Sequence, residues 1–277
     1  EDTFSYANQL GQRPGAGAVY LNIFHSDIEE FLDCKKINVD EKVRIKSLSI
    51  GIIVPDKFME LAEKDEPCYL VYPHTVVQEY GQFLDEMDMD KMYDELITNP
   101  NVKKKKINAR HLLVKIAQTQ KESGYPYIFF KENTNRVHAL NEIGQVKFSN
   151  LCTEIMQVSQ VSDIEIYGKQ DTIRYGISCN LGSLNIATVM DNKRIKETVK
   201  TAMRALTVVT DVTNIDMVPS IAKANRELHS VGLGAMNLHG YLAKSFIMYE
   251  SNEALDFANT FFMMMNYYSL EASMEIA

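Results

Sequence analysis

An amide, a thiol and a carboxylate occupy every second position in Phe148-Ser149-Asn150-Leu151-Cys152-Thr153-Glu154. Side chains alternate along an extended backbone, so an extended stretch would present Asn150, Cys152 and Glu154 to one side. Three such groups together can hydrogen-bond a hydroxyl, take its proton and supply a sulfur-centred reactant. That composition is unusual for a buried strand and favours chemistry over packing. A second cysteine stands in Ile177-Ser178-Cys179-Asn180-Leu181-Gly182-Ser183-Leu184-Asn185, ahead of a polar turn and a glycine. Taken alone, Cys179 reads as a small buried hydrophobe.

A cysteine hydrolase would need a histidine base positioned for Cys152 or Cys179. The six histidines, His25, His74, His111, His138, His229 and His239, carry no local signature of that kind. A carboxylate beside a thiol also makes the thiolate harder to form. Glu154 therefore suits a sulfur that reacts as a neutral thiol or as a radical. Cys34 and Cys68, the other two cysteines, read as ordinary buried residues.

The whole chain narrows the setting. Its 277 residues, 45% of them hydrophobic, can bury a sizeable core. With four cysteines, no CxxC pair and no Cys/His cluster at zinc spacing, we expect no metal site, no disulfide framework and a reducing cytoplasm. The net charge of −8 argues against a nucleic-acid binder that works through phosphate contacts. No apolar run reaches the eighteen or so residues of a membrane-spanning helix, and the polar, glycine-rich opening is not a signal peptide. The first residue is not Met, and the stretch from Ser251 to Ala277 reads as a helix without a terminal cap. We therefore expect a segment of a longer polypeptide.

The elements that must position these residues alternate between strand and helix. Asn8 to Ala18 is a glycine-rich loop. Ser26-Asp27-Ile28-Glu29 has capping-box spacing and should start a short helix toward Cys34. Ser47 to Val54 reads as a buried strand closed by Pro55, and Cys68 to Tyr72 as another stopped by Pro73. Helices are expected at Lys57 to Lys64, in two stretches from Thr75 to Leu96, and at Arg110 to Ser123, the last ended by Gly124. His74 reads as part of a structural turn. The lysine run Lys103 to Lys106 reads as a solvated linker. Tyr127 to Phe130 is a strand, Asn133 to Asn185 is irregular, and Ile195 to Thr210, Ser220 to Leu228 and the final stretch are helical. The two glycines of Val231 to Asn237 suggest a tight junction leading into a helix. One continuous α/β domain is the economical reading.

These blocks resemble a known family. Ser149 to Glu154 resembles the finger-loop motif of ribonucleotide reductase large subunits. Cys179 to Asn185 resembles the segment bearing one of that family's reducing cysteines, at fitting order and separation. The opening, with Gln9, Arg13 and Gly15, resembles the loop linking the allosteric specificity site to the substrate base. Val231 to Leu242 resembles a further family segment. The wording is most similar to class Ib (NrdE-type) alpha subunits, and the blocks together span essentially all of the chain.

The resemblance implies a fold: the ten-stranded ribonucleotide reductase-type α/β barrel with a central finger loop, here as a partial barrel. Residues 1–277 would be the central portion of the catalytic barrel, with 1–18 specificity-loop-like and 147–156 the finger loop. It implies a thiyl radical on Cys152 that takes the 3′-hydrogen of a ribonucleoside diphosphate. Glu154 would be the general base on the 3′-hydroxyl, and Asn150 would hold the sugar hydroxyls. Cys179 would be half of a dithiol whose partner precedes Glu1. Gln9, Arg13 and Gly15 would carry effector information to the substrate. The chain itself would bind no metal cofactor. A radical-generating small (beta, NrdF-like) subunit would hold a manganese or iron metal-tyrosyl radical. A glutaredoxin- or thioredoxin-like protein would be the reductant, dNTP or ATP the effectors, and the complete alpha subunit a homodimer. The adjacent tyrosines that pass the radical, the phosphate-holding loop and the redox tail would follow Ala277, so the isolated chain would be inactive. Two alternatives are a cobalamin-dependent or anaerobic radical reductase, and a non-catalytic or split-gene piece of such a subunit.

Overall fold

The computed structural model describes residues 1–12, 14–165 and 170–277, without the side chain of Gln9. The chain divides into two compact units, Glu1–Val158 and Ser159–Ala277. The first runs α1 (Asp2–Tyr6), β1 (Ala18–Asn22), α2 (Ile28–Asp33), β2 (Ser49–Ile53), α3 (Asp56–Glu63), β3 (Pro67–Val71), α4 (Pro73–Tyr80), α5 (Met89–Thr98), β4 (Lys104–Asn108), α6 (Ala109–Ser123), β5 (Tyr127–Phe129) and α7 (Lys131–Val137). The second runs β6 (Asn180–Asn185), α8 (Ile186–Asn192), α9 (Ile195–Val212), α10 (Pro219–Leu228), β7 (Val231–Met236), α11 (Leu238–Lys244) and α12 (Asn252–Ile276).

In the first unit β2 lies between β1 and β5 in a parallel sheet. All five residues of β2 are buried. That accounts for its unbroken apolar sequence, because a central parallel strand is covered on both faces. The register sets Tyr20, Gly51 and Tyr127 side by side across the three strands. A Cβ on Gly51 would sit 2.3 Å from Cε1 of Tyr20, so only glycine admits the Tyr20 ring there. The core gathers Phe24, Phe58 and Tyr93, with ring centroids 6.1 Å apart for Phe24–Phe58 and 4.4 Å for Phe24–Tyr93. The Tyr93 hydroxyl accepts from the Tyr69 amide at 2.9 Å, which satisfies a polar tip inside that core.

Several local expectations need correction, among them the irregular stretch Asn133 to Asn185, which opens inside α7 (to Val137) and closes with β6 (from Asn180). The lysine run is not a linker: Lys104–Asn108 is strand β4, paired antiparallel with β3. Its side chains find separate partners. Lys104 Nζ donates to the carbonyls of Ile97 and Asn99 at the end of α5, Lys105 pairs with Glu29 at 2.7 Å, and Lys103 lies over the Tyr72 ring. The capping box at Ser26 does not form, since Ser26 Oγ donates to Asp27 and α2 starts at Ile28 without a side-chain cap. In the second unit, Val231–Met236 is strand β7, parallel to β6, and the expected tight junction into a helix is the single residue Asn237, left-handed at φ +67°, ahead of α11. His74 sits in the first turn of α4 behind Pro73. Helix α6 ends as expected on Gly124, at φ +78°, whose amide donates to the Gln120 carbonyl.

The second unit packs α8, α9 and α12 around Ile186, Val189, Val199, Phe261 and Met265. Lys196 and Lys200 on α9 meet Glu271 on α12, and Arg204 meets Glu275. The seven strands described form one three-stranded and two two-stranded sheets. The architecture is therefore mixed α/β, and the described residues do not close a ten-stranded barrel. No helix among them is long and apolar enough to cross a membrane.

A polar cavity of about 410 Å³ in the first unit is lined by Asp88, Asp90, Lys131, Glu132 and Arg136 among others. Lys131 is buried, and its Nζ donates to the carbonyls of Asp85 and Met87 at 2.6 and 2.8 Å. Burial raises the Glu132 carboxyl above its ordinary value near 4.5, against the pull of Lys131. Below that ordinary value folded and unfolded chains both hold the proton. As pH rises through the higher folded-state value the proton must leave, and this contribution to stability is lost. Glu132→Gln should therefore gain stability relative to the parent as pH rises from acid toward neutrality. Chemical denaturation at several pH values checks this, and a constant difference between pH 4 and 7 would contradict it.

Candidate active site

The segment carrying Asn150, Cys152 and Glu154 is a tight turn, not an extended strand. Asn150 causes this. Its Oδ1 accepts from the backbone amides of Glu154 and Ile155, both at 3.1 Å, and its carbonyl accepts from Thr153 N at 3.3 Å. A short amide side chain that bonds nearby backbone competes directly with strand pairing. Buried Ser149 closes the base of the turn by donating to the Ile155 carbonyl at 2.8 Å. Strand alternation therefore does not bring these three side chains together. They share one turn instead, with Asn150 at its base, exposed Cys152 near its tip and exposed Glu154 on the returning arm. With Oδ1 committed to the backbone, the Asn150 NH2 is the group available to donate to a ligand.

Thr153 takes a left-handed conformation at φ +69°. For a β-branched residue this is strained by roughly 1–3 kcal/mol. Tyr20, on β1, braces it. The Tyr20 hydroxyl donates to the Asn150 carbonyl at 2.8 Å. A phenol has one proton, so in the 2.7 Å bond between Tyr20 and Thr153 the Thr153 hydroxyl is the donor. Two such bonds contribute about 1 kcal/mol each, comparable to the strain. The Tyr20 ring stacks on Phe148 at 6.4 Å and meets Phe129 edge-on at 6.3 Å. Burial pushes the Tyr20 phenol upward; the Thr153 hydrogen bond opposes this, and charge on Glu154 or Cys152 would add to the rise. Burial and the neighbouring Tyr125 likewise raise the Tyr127 phenol, and Cys152 adds to them in the same sense.

His138, the histidine nearest to Cys152 in sequence, is committed to backbone. Its Nδ1 accepts from Leu140 N at 3.2 Å, so the proton is on Nε2, which donates to the Met156 carbonyl at 3.0 Å. This is no arrangement for a thiolate–imidazole pair. Cys34 and Cys68 are buried, as expected, and burial raises both thiols, Cys68 to about 12.

In the second unit half-buried Cys179 immediately precedes β6. The Gly232 position on β7 lies against its sulfur, where an added Cβ would come within 3.2 Å of Sγ and 2.6 Å of Leu181. Gly232 thus makes room beside a cysteine. The flanking polar residues tie this strand to two helices. Ser178 Oγ donates to Asn225 Oδ1, Asn225 Nδ2 donates to the Thr210 carbonyl, and Asn180 Nδ2 donates to Thr210 Oγ1.

The opening loop folds back on α1. A Cβ at Gly15 would strike the Phe4 and Ala7 carbonyls at 2.5 and 2.6 Å, so Gly15 is required for that close approach. Arg13 lies outside the described residues, as does the side chain of Gln9. Tyr20, Gly51 and Thr153 were missed in the sequence. Tyr20 meets the turn across some 130 residues of chain, a contact that no local pattern announces.

The family model for the ribonucleotide reductase barrel domain matches residues 1–277. The chain belongs to the ribonucleotide reductase family, within its barrel domain. It is 59% identical over 277 residues to the ribonucleoside-diphosphate reductase subunit alpha of Bacillus subtilis, covering 100% of this chain and 40% of that protein. It is 48% identical over 278 residues to the corresponding subunit of Mycoplasma pneumoniae, covering 100% of this chain and 38% of that one. A solved class Id ribonucleotide reductase alpha subunit of Actinobacillus ureae shares the fold with a TM-score of 0.66, over 94% of this chain and 41% of that one, at 23% identity. The chain thus spans about two-fifths of the length of these relatives.

Proposed function

We propose that this chain carries the radical-bearing part of a ribonucleoside-diphosphate reductase alpha subunit. The observation that carries the reading is the exposed Cys152 on a turn stiffened by Ser149, Asn150 and Tyr20, with Glu154 two residues away. Residues 147–156 are then the finger loop of a barrel and residues 1–18 the specificity-loop segment. Gln9, Arg13 and Gly15 relay dNTP or ATP effectors.

In this mechanism Cys152 gives up its thiol hydrogen, as a proton and an electron; a small NrdF-like beta subunit with a manganese or iron centre would supply the radical that accepts it. The resulting sulfur radical takes the 3′-hydrogen of the substrate. Glu154 accepts the 3′-hydroxyl proton, and the Asn150 NH2 donates to a sugar hydroxyl. The 2′-hydroxyl leaves as water with a proton from a dithiol, of which Cys179 is one half. That dithiol supplies one hydrogen atom to C2′ and one further electron, ending as a disulfide, while Glu154 returns its proton to the 3′-oxygen. Cys152 then returns its hydrogen to C3′. A glutaredoxin- or thioredoxin-like protein re-reduces the disulfide. A homodimer of the alpha subunit in the cytoplasm is the setting that fits.

Cys179→Ser tests the electron supply. In the polypeptide that carries this sequence, assayed with a radical-generating subunit, the variant should lose repeated turnover while still releasing isotope from substrate labelled at C3′. Undiminished turnover would contradict the assignment of Cys179.

A further inference from the structure

Tyr20 stands on β1, far in sequence from the turn it touches, and both of its contacts fall on the two residues that shape that turn. Its hydroxyl bonds the Asn150 carbonyl at 2.8 Å and Thr153 Oγ1 at 2.7 Å, on either side of Cys152. The ring is fixed independently. On the sheet side it meets Phe129 edge-on and lies over Gly51, whose missing Cβ leaves the space; Phe148, on which it stacks, belongs to the loop itself. A phenol so seated has little freedom to follow the turn, so the turn must follow the phenol. The strained Thr153 backbone gives the contact something to hold, because without the hydroxyl the turn can relax toward an ordinary φ.

We propose that Tyr20 is a positioning residue that latches the Cys152 turn to the β-sheet, setting the height of the sulfur over the substrate. The proposal rests on the reading of Cys152 as the hydrogen-abstracting residue. Hydrogen transfer is acutely sensitive to the distance between donor and acceptor, and a displacement of about 1 Å can slow a reaction by roughly a hundredfold. Asn150 keeps its Oδ1 bonds to Glu154 N and Ile155 N without the Tyr20 hydroxyl, so loss of the latch should appear chiefly in kcat, with KM changed little.

The experiment compares Tyr20→Phe, Thr153→Ala, the double variant and Cys152→Ser, each in the polypeptide that carries this sequence, with its radical-generating subunit and a ribonucleoside diphosphate. Tyr20→Phe keeps the ring and its packing and removes only the hydroxyl. The expected result is a kcat lower by roughly tenfold or more, with KM within about twofold of the parent. Thr153→Ala should lower kcat in the same direction, and the double variant should be no worse than Tyr20→Phe, because both changes break one latch. A Tyr20→Phe protein with the parent kcat, or single effects that multiply in the double variant, would overturn the proposal. Should Tyr20→Phe fail to fold, Thr153→Ala decides alone: a lower kcat at unchanged KM supports the latch, and a parental kcat overturns it. Cys152→Ser distinguishes the latch from the role of the sulfur. An inactive Cys152→Ser beside a fully active Tyr20→Phe refutes the latch alone, whereas an active Cys152→Ser refutes the reading beneath it.

Discussion

Replacing Cys152 by serine should abolish deoxynucleotide formation, with turnover falling by roughly 10⁴-fold or more. The change exchanges one atom. Cys152 is exposed and its side chain packs no core, so folding and substrate affinity should persist. The chemistry cannot persist, because an O–H bond is much stronger than an S–H bond and a serine hydroxyl will not surrender its hydrogen atom to the same oxidant. Thermal unfolding of the variant should match the parent, and a steady-state assay with the radical-generating subunit should read at its floor. Activity within tenfold of the parent would mean that another group abstracts the hydrogen.

Glu154→Gln should lower kcat by about 10² to 10⁴, the range that one general base contributes. The amide has nearly the shape of the carboxylate, and the bond that Glu154 lends to the turn comes from its backbone amide to Asn150 Oδ1, so the turn survives the substitution. What disappears is the capacity to take the 3′-hydroxyl proton. The loss should therefore fall on kcat, with KM for the ribonucleoside diphosphate changed little. Glu154→Asp keeps a carboxylate on a shorter stem and should lie between the two. A Gln variant with parental kcat would leave Glu154 without a role in proton transfer.

The sequence announced some of this arrangement and concealed the rest, for separable reasons. Strand Ser49–Ile53 was legible because a doubly covered parallel strand must be apolar throughout. Helix Ala109–Ser123 was legible because its apolar spacing ends on a glycine that accepts the left-handed conformation. Strand Lys104–Asn108 was hidden. Its lysines resemble a solvated linker until the pairing partner, Pro67–Val71, is known, and that pairing is non-local. The glycines of Val231–Met236 resembled a turn because the purpose of Gly232, room for Leu181 on the neighbouring strand and for Cys179 just before it, depends on register. At the site itself the residues were legible and the geometry was not. Asn150 was expected to face a ligand from an extended strand, whereas its Oδ1 folds the chain into a turn by bonding Glu154 and Ile155. Tyr20 gave no local sign, since its two bonds reach the turn from the other end of the first unit.

The fate of the C3′ hydrogen reports on Cys152 itself. While that hydrogen resides on the Cys152 thiol it can exchange with solvent. Incubating the polypeptide and its radical-generating subunit with a ribonucleoside diphosphate tritiated at C3′ should release a measurable fraction of the label into water in step with deoxynucleotide formation. The Cys152→Ser protein should release none. Label appearing in water from the Cys152→Ser protein, or deoxynucleotide made by it, would contradict the assignment of hydrogen abstraction to Cys152.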